Sequence, residues 1–516
     1  MSKKQSPTIL DKAVAYLSPI KGLKREQAKQ KLDFINSGYS HHGANTYKKS
    51  MRGWNAESNS ANEDINNNLD ELRKRGRDLY MGGSNVATGA IKTTSTNVIG
   101  SGLVLKPSID NKFLKMTDEE EELWKQKTVR EFEYFASSPN CDRFRLNNFY
   151  ELQQLAFLSM LLSGDVFVLL PYKQRQGFLY DLRIQLVESD RIKTPHAKQE
   201  NKHISQGVET KDGEVHAYYI FNNHPSYYDY TDKVSYQRIE AFGRNTGRGN
   251  IIHLMESERP DQTRGVPFLA PVIESLKQIG RYTEAELVAA VVSGMFTVFI
   301  RSEMPELNPG QSIPLNEQID SANSNSYEMG NGTILSLGLG ETIETADPGN
   351  RKVGYDSFVN AILRQAGSAL GIPFEMLILN FQSSYSASRA ALLEAWKMFR
   401  MRRRWFANNF CQPIYEEWLS EAVAKGRIYA PGFFDDPIIK AAYCKAQWHG
   451  PSQGQIDPLR EVRAAMLRIE VGISTAEKEA AEMTGTDFFV NHRQKIKEAL
   501  MKKELELLLK EGYDEN

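Results

Sequence analysis

A stretch of small polar residues leads directly into an arginine run in the segment NFQSSYSASRAALLEAWKMFRMRRRW, which extends from Asn380 to Trp405. Its serine hydroxyls favour turns and helix caps, because they bond to nearby backbone groups. The alanines and leucines that follow lose little entropy in a helix. The chemistry available here is hydrogen bonding from a polar loop that is joined to a rigid helix, although an ordinary helix start has the same composition.

Four arginines, Arg400, Arg402, Arg403 and Arg404, lie at the end of this segment. At helical spacing Arg400 and Arg404 share a face, whereas Arg402 points elsewhere. Arginines that are spread around a helix do not form a single phosphate-binding stripe. We therefore favour salt bridges, within one chain or between subunits, over contacts with DNA. The two aromatic residues that follow predict that this part of the helix is half-buried.

Motifs for catalysis are absent from the sequence. It has no G-x-x-x-x-G-K-[ST] phosphate loop, no G-x-S-x-G elbow and no H-E-x-x-H pair. His253 lies in a strand-like run and is interpreted as a core histidine. The acidic run from Asp118 to Glu122 suits the first turn of a helix, where negative charge is favourable. We therefore expect no catalytic residue, no metal site and no cofactor.

The composition, 41% apolar and 25% charged over 516 residues, is typical of a globular protein of several domains. A net charge of −1 argues against a repressor-like DNA binder, but not against a protein that handles DNA loosely. Cys141, Cys411 and Cys444 are far apart, which argues against a disulfide framework or a zinc site and indicates a reducing compartment. The apolar run at residues 287–300 is too short to cross a bilayer, so we expect a soluble, intracellular protein.

The predicted elements are mainly helical, with an α+β half that lacks a regular βαβ rhythm. Residues 1–68 are basic overall, and the stretch from Asn55 to Asn68 contains few apolar side chains, which predicts a weakly ordered arm. Strands are expected near residues 103–105, 166–170, 184–187, 217–221 and 250–255. Long helices are expected at 267–294, 357–371 and 387–425, the last with a kink at Pro413.

Five segments occur in the order and at the spacing of a known family. They are RDLYMGGSNVATGAIKTTSTNVIGSGLVLKP (77–107), LLSGDVFVLL (161–170), RGVPFLAPVIESLKQIGRYTEAEL (264–287), SALGIPFEMLI (368–378) and SSYSASRAALLEAW (383–396). Together they resemble the portal proteins of lambda-type tailed bacteriophages, over roughly residues 70–490. The chain departs from the family pattern at Ser84-Asn85, where Asn-Pro is common, and at Asp165, where Glu is common.

The resemblance implies an α+β, predominantly helical portal fold, with wing, stem, clip and crown, that assembles as a cyclic ring around an axial channel. By order of elements it implies these regions: a basic, weakly ordered N-terminal arm (1–68), the wing (69–265), the first stem helix (266–294), the clip (295–352), the second stem helix (353–378), a tunnel loop (379–390), a long wing helix (391–425) and C-terminal wing and crown helices (426–516).

The function that the resemblance implies is a ring of about twelve copies at one capsid vertex of the virion, assembled in the host cytoplasm. Double-stranded DNA would be packaged and ejected through it. The implied partners are the terminase large subunit, head–tail connector or completion proteins, and the major capsid and scaffolding proteins, with no membrane. No catalytic role is implied.

The tunnel loop would contact DNA in the channel. Small hydroxyls and amides exchange hydrogen bonds with passing phosphates, whereas several lysines would add a salt-dependent grip. The four arginines of the helix that follows would form salt bridges between subunits. The implied channel residues are Gln382, Ser383, Ser384, Tyr385, Ser386, Ser388 and Arg389.

Two other functions stay open on the sequence. A capsid-assembly adaptor without a DNA channel would associate with other proteins but show no central hole. A nucleic-acid enzyme of unrecognised type would be a compact monomer or dimer with metal-dependent or nucleotide-dependent activity.

Overall fold

The computed structural model describes residues 9–35, 49–51, 53–54, 56–226, 235–294, 298–302, 341–345, 354–381, 384–454 and 457–514. The chain divides into two compact units, residues 1–60 and 61–516. In the first unit, helices α1 (Ile9–Leu17) and α2 (Pro19–Ile35) pack against each other. The basic composition of the arm predicted weak order, but α1 is largely apolar, with its two charged residues Asp11 and Lys12 side by side, which favours an amphipathic helix.

The second unit is a helical body that carries three small antiparallel sheets and one further strand pair. Its helices are α3 (Ala61–Asn66), α4 (Leu69–Asp78), α5 (Asn85–Val98), α6 (Asn111–Leu114), α7 (Asp118–Ala136), α8 (Phe149–Ser163), α9 (Ile273–Gly294), α10 (Tyr355–Leu370), α11 (Phe374–Leu377), α12 (Tyr385–Phe406), α13 (Gln412–Ala424), α14 (Pro437–Cys444), α15 (Pro458–Glu470), α16 (Ala476–Thr484) and α17 (Phe488–Asp514). Its strands are β1 (Val104–Pro107), β2 (Asp165–Leu169), β3 (Gln185–Val187), β4 (Ile204–Ser205), β5 (Val208–Lys211), β6 (Glu214–Phe221), β7 (Tyr236–Glu240), β8 (Ile251–Met255), β9 (Val298–Ser302), β10 (Glu341–Thr345) and β11 (Ala446–His449).

Local signals explain where helices α7 and α8 begin. The Thr117 hydroxyl accepts a bond from the N–H of Glu120 while the Glu120 carboxylate accepts one from Thr117, which caps α7. Asn148 and Glu151 cap α8 in the same reciprocal way. The acidic first turn of α7 matches the predicted interaction with the positive end of a helix dipole.

Two hydrophobic cores hold the second unit together. The larger core brings α7, α8, α13 and β11 around an aromatic group in which Phe132 meets Trp418 and Phe149 edge-on, at centroid distances of 5.0 and 5.5 Å. The smaller core lies where Phe167 of β2 meets Tyr218 of β6. It joins the β3-β2-β8 sheet to the β4-β5-β6-β7 sheet. All five predicted strands are observed.

The segments predicted as stem and clip are described in part. A 3₁₀ turn at Ala270–Val272 precedes α9, so the predicted helix at 267–294 begins a few residues later than expected. Most of the predicted clip lies outside the described residues, apart from β9 and β10, which pair antiparallel. In the described ranges, every helix falls short of the length and apolar character that a bilayer crossing requires.

The helix after the serine-rich segment is continuous with a wide turn rather than kinked at a proline. A π turn at Ala407–Cys411 joins α12 to α13, and Pro413 lies in the first turn of α13. Proline is tolerated in the first turn of a helix, where its missing N–H costs little. The wider π turn just before it lets the chain continue as a helix although Pro413 cannot donate a backbone hydrogen bond.

Candidate functional site

The predicted tunnel loop is largely the beginning of α12. The Ser384 hydroxyl accepts a bond from the N–H of Ala387 at 3.4 Å, and the helix begins at Tyr385. Ser386 is exposed, and Ser388 and Arg389 are half-buried on the first turns. The expectation of a loop over 379–390 is therefore wrong for its second half, because Ser384 provides the cap and alanines follow. Gln382 and Ser383 lie outside the described residues.

Arg389 lines a groove between α12 and the pair α15–α16. Three other arginines line the same groove, Arg400, Arg460 and Arg468, together with Glu461, Glu479 and Glu482. Arg468 donates to both oxygens of Glu479, at 2.8 and 2.6 Å. The groove therefore carries four guanidiniums and three carboxylates, a small excess of positive charge at the beginning of α12.

Two arginines of the run contact other groups of the same chain, and the other two face the solvent. Arg403 donates to the backbone carbonyls of Asn97 and Val98 at 2.7 and 3.0 Å, and burial lowers its pKa to about 10. Arg402 lies 3.4 Å from a Glu256 oxygen and over the Phe268 ring, 4.7 Å from its centroid. The salt bridge predicted within the chain is thus present for Arg402.

The two outer arginines of the run are exposed. Arg400 lies 3.9 Å from Glu482, a distance at the limit of an ion pair. Arg404 has no ion-pair partner in the described parts of the chain. Salt bridges from these arginines to a neighbouring subunit stay a prediction.

A buried charge cluster, which the sequence did not indicate, lies at the junction of α8 and β2. One oxygen of the Asp165 carboxylate accepts a bond from Arg73 Nη2 at 2.8 Å, and the other accepts one from Arg264 Nε at 2.7 Å. The N–H of Gly265 donates to the same carboxylate at 3.1 Å. All three charged side chains are fully buried. The cluster therefore fastens α4 and the segment before α9 to the end of α8.

The two guanidiniums also satisfy backbone carbonyls around them. Arg73 donates to Ser163 at 2.8 Å, and Arg264 donates to Ser189 and Ile192 at 3.0 Å. Such bonds matter because buried donors without partners cost about 1–3 kcal/mol each. These contacts bring four segments that are distant in sequence to one point.

The protonation states of the cluster follow from this geometry. Burial alone raises the pKa of Asp165, but the positive charges of Arg264 and Arg73 outweigh it and hold that pKa well below its usual range. Burial lowers the pKa of Arg73 to about 10, still far above neutral pH. The cluster therefore stays ionised at neutral pH.

His253 lies beside this cluster as the predicted core histidine. Its Nε2 is 3.4 Å from an Asp165 oxygen, and its ring stacks on Phe167 at a centroid distance of 4.2 Å. Burial lowers the pKa of His253, against the opposing effect of Asp165. A neutral, packed imidazole of this kind explains the residue without catalysis.

Two backbone segments also touch at this junction of α8 and β2. A Cβ atom added to Gly265 would lie 2.0 Å from the carbonyl oxygen of Gly164, and Gly164 itself has a φ of +87°. Only glycine allows two backbones to approach so closely. The segments LLSGD and RGVPF therefore meet at a contact that requires glycine.

Glu188, Asp190 and His224 form a group whose ligand atoms lie within 4.8 Å of one another. Arg77 donates to both carboxylates of this group, to Glu188 at 3.0 Å. Arg73 lies 3.9 Å from Asp190. Because guanidiniums already neutralise these carboxylates, we interpret the group as an extension of the buried ion-pair network.

The buried charge cluster of Asp165, Arg73 and Arg264 thus joins distant segments of the second unit. A family model described as phage portal protein, lambda family, matches residues 47–403. Portal protein B of Escherichia phage lambda is 25% identical over 485 residues, which cover 90% of each chain. The portal protein of Escherichia phage N15 is 24% identical over 485 residues, with the same coverage.

Because the family match covers more than half of its length, the chain belongs to the lambda family of phage portal proteins. The predicted portal identity and the predominantly helical α+β class are confirmed. Among solved structures, the chain is similar to one from the neck of an empty gene transfer agent particle computed with C6 symmetry. The identity is 14%, the TM-score is 0.44, and the match covers 86% of this chain and 98% of that chain.

Proposed function

We propose that the chain assembles as a cyclic ring of about twelve copies at one capsid vertex, around a channel for packaging and ejection of double-stranded DNA. The ring has no catalytic activity of its own, and the terminase large subunit moves the DNA. Head–tail connector proteins and the major capsid and scaffolding proteins are its other partners. The ring forms in the host cytoplasm and stays in the virion.

One observation carries this proposal. The chain belongs to a portal family and aligns with two named portal proteins over 90% of its own length and 90% of theirs. An alignment that covers both chains so fully supports a shared role for the whole protein rather than for one domain.

An exposed apolar stripe on α15 supports self-assembly. Leu459, Val462, Met466 and Ile469 are exposed, and their spacing of three, four and three residues places them on one face. Such a stripe is the packing seam of a helix that meets another helix. Contiguous apolar surface of this kind marks an interaction site in a soluble protein.

We assign the regions of the ring by order of elements. The two stem helices are α9 and α10, and the clip lies between them. The wing helix is α12 with α13, and the crown includes α15 to α17. The polar groups at the start of α12, with Arg389, face DNA, and the exposed Arg404 pairs with a neighbouring subunit.

Electron microscopy of the purified protein, paired with its solution mass, tests the proposal. Each chain is 58.6 kDa, so a ring of about twelve has a mass of roughly 700 kDa. Rings with a central hole support it. Association without a hole favours the capsid adaptor. A chain that stays monomeric even with scaffolding and capsid proteins present overturns the proposal.

DNA contact is tested by Arg389→Glu, which places a negative charge at the beginning of α12. We expect rings to form normally while packaging of DNA or its retention falls, because phosphates are repelled. Lys202→Glu is the matched control, since Lys202 is exposed and lies just before β4 rather than on α12. Normal packaging by the Arg389 variant removes this residue from the channel.

A further inference from the structure

The loop from Asp142 to Asn147, called here the tip loop, is fixed by one buried carboxylate. Asp142 accepts bonds from the backbone N–H groups of Phe144 at 3.1 Å, Leu146 at 2.9 Å and Asn147 at 3.3 Å. Three bonds to one side chain hold the backbone of this six-residue loop in a single conformation.

A buried arginine fixes the same loop from the other side. Arg175 donates from Nη1 to the carbonyls of Asn140 and Asp142, at 2.8 and 2.9 Å, and from Nη2 to that of Arg143 at 2.7 Å. The N–H of Arg143 donates to the Ile184 carbonyl at 2.9 Å. The backbone of the tip loop is therefore anchored to the body of the protein at both of its edges.

The tip loop presents apolar and basic side chains to solvent. Phe144 is 57% exposed and Leu146 is 76% exposed, although both are large apolar residues. Arg145 is exposed and Arg143 half-exposed, and neither has an ion-pair partner in the described parts of the chain. Aromatic residues and arginines are enriched at interface centres, and a rigid loop loses little entropy when it binds.

A surface of opposite charge lies at the beginning of α7, and it is called here the acidic end. Asp118 and Glu119 are exposed in the first turn of α7, and Leu123, which is 67% exposed, follows Glu119 by one helical turn. Glu122, by contrast, is paired with Arg493 at 3.6 Å. The exposed ring of Phe113 belongs to α6, just before this turn. The acidic end thus combines an apolar centre with carboxylates, as a partner for the tip loop requires.

The two surfaces lie at opposite ends of one rigid element. The helix α7 has 19 residues, a length of roughly 28 Å at 1.5 Å per residue. The tip loop follows the end of α7, where Tyr150 donates to Glu133 of the last turns at 2.5 Å. A surface at one end of a rod cannot reach the other end of the same rod, but it can reach that of a second copy.

We propose that the tip loop of one subunit docks on the acidic end of α7 of the next subunit. The inference rests on the ring assembly proposed above and names one of its contacts. Two different surfaces that meet head to tail form a heterologous interface, the kind that closes into rings. Tip loops repel one another, as do acidic ends, so the charges also select this arrangement over a two-fold dimer.

The test uses charge reversal of the full chain, with assembly measured by analytical ultracentrifugation and electron microscopy. We expect Arg143→Glu/Arg145→Glu to raise the concentration for half-assembly about a hundredfold, because like charges then face each other. Asp118→Arg/Glu119→Arg, at two exposed carboxylates, has the same effect from the other surface. Lys202→Glu/Lys211→Glu changes the net charge equally at exposed sites of the β4–β5 region and leaves assembly unchanged.

The decisive experiment mixes the two charge-reversed variants. An equimolar mixture of the two reversed variants restores assembly, since each tip loop then meets an end of opposite charge on the other variant. A single chain that carries all four substitutions also assembles. Circular dichroism and thermal unfolding show that each variant is folded, as expected for substitutions at exposed or half-exposed positions.

Three outcomes overturn the inference. If Arg143→Glu/Arg145→Glu assembles like the unmodified chain, the tip loop is outside the contact, while the ring proposal stands. If the reversed variants fail to restore assembly when mixed, the tip loop does not dock on the acidic end of α7. If the reversal abolishes binding to a double-stranded DNA fragment and leaves assembly intact, the tip loop serves nucleic acid instead. A chain that never self-associates overturns both proposals.

Discussion

Replacing Asp165 by asparagine tests the buried charge cluster most directly. The change keeps the size of the side chain but leaves Arg73 and Arg264 facing each other without the carboxylate that now lies 2.8 and 2.7 Å from them. Removing one partner of a buried ion pair costs about 3–5 kcal/mol. We expect the upper part of that range, since one carboxylate serves two guanidiniums. A loss of this size lowers the unfolding temperature of this part of the chain by about 10 °C.

The assay is differential scanning calorimetry of the unassembled chain at neutral and acidic pH. The matched control is Glu71→Gln, which removes a carboxylate from the exposed pair with Arg75 on the same helix α4, at 2.9 Å. An exposed pair contributes less than about 1 kcal/mol, so the control should barely change the unfolding temperature. Equal, small shifts in the two variants would refute the account of the cluster.

Acidic pH supplies a second readout with a definite sign. The pKa of Asp165 is depressed in the folded chain, so its stabilisation is present above the unfolded pKa of about 3.9. This stabilisation is lost as the pH falls from the unfolded pKa through the lower pKa that Asp165 has in the folded chain. The difference in stability between the unmodified chain and Asp165→Asn should therefore shrink only when pH falls below about 4.

Three further substitutions, two of them with a matched control variant, test the neighbouring claims. His253→Gln should flatten the loss of stability below about pH 6.5, because the buried imidazole has a lowered pKa and only the unfolded chain binds its proton there; unfolding temperatures from pH 7.5 to 5 would show it. Gly265→Ala should destabilise by about 3 kcal/mol or more in urea unfolding, since the new Cβ meets a backbone oxygen at 2.0 Å. Gly249→Ala, with no atom within 4 Å of the new Cβ, should stay within about 1 kcal/mol of the unmodified chain. Arg403→Gln should cost the unassembled chain about 2 kcal/mol through its lost carbonyl contacts, whereas Arg404→Gln should be nearly neutral in the same calorimetric scan.

Local patterns were sufficient for most elements of the fold. The strand at Val166 follows Gly164, and this apolar run after a glycine stop predicted β2 correctly. The beginning of α12 was harder to predict, because several serines in a row are equally good caps and composition does not select Ser384. The helices of the N-terminal arm were hidden because composition was averaged over 68 residues, which masks a nine-residue amphipathic helix.

Local sequence patterns could not predict the buried charge cluster. Arg73 lies in the run ELRKRGRD, where a charged residue is normally on the surface. Its burial depends on a carboxylate 92 residues away, and Arg264 reaches the same carboxylate over 99 residues. One signal was available: Asp165 and Arg264 each fall in a segment that matches the family pattern. A charged residue inside an apolar segment of that kind is a reason to look for a buried partner.

The distribution of arginines connects this fold to the proposed ring. Arg73 and Arg264 are held inside by carboxylate and carbonyl groups, and Arg403 is bound to carbonyls of α5. A chain of net charge −1 that commits these guanidiniums internally cannot also present them to DNA, which favours a channel with little grip. The arginines of the tip loop are different, because a rigid loop holds them in solvent beside two exposed apolar side chains. Positive charge that is displayed in this way selects an acidic, partly apolar partner, and the acidic end of α7 in a neighbouring subunit provides one.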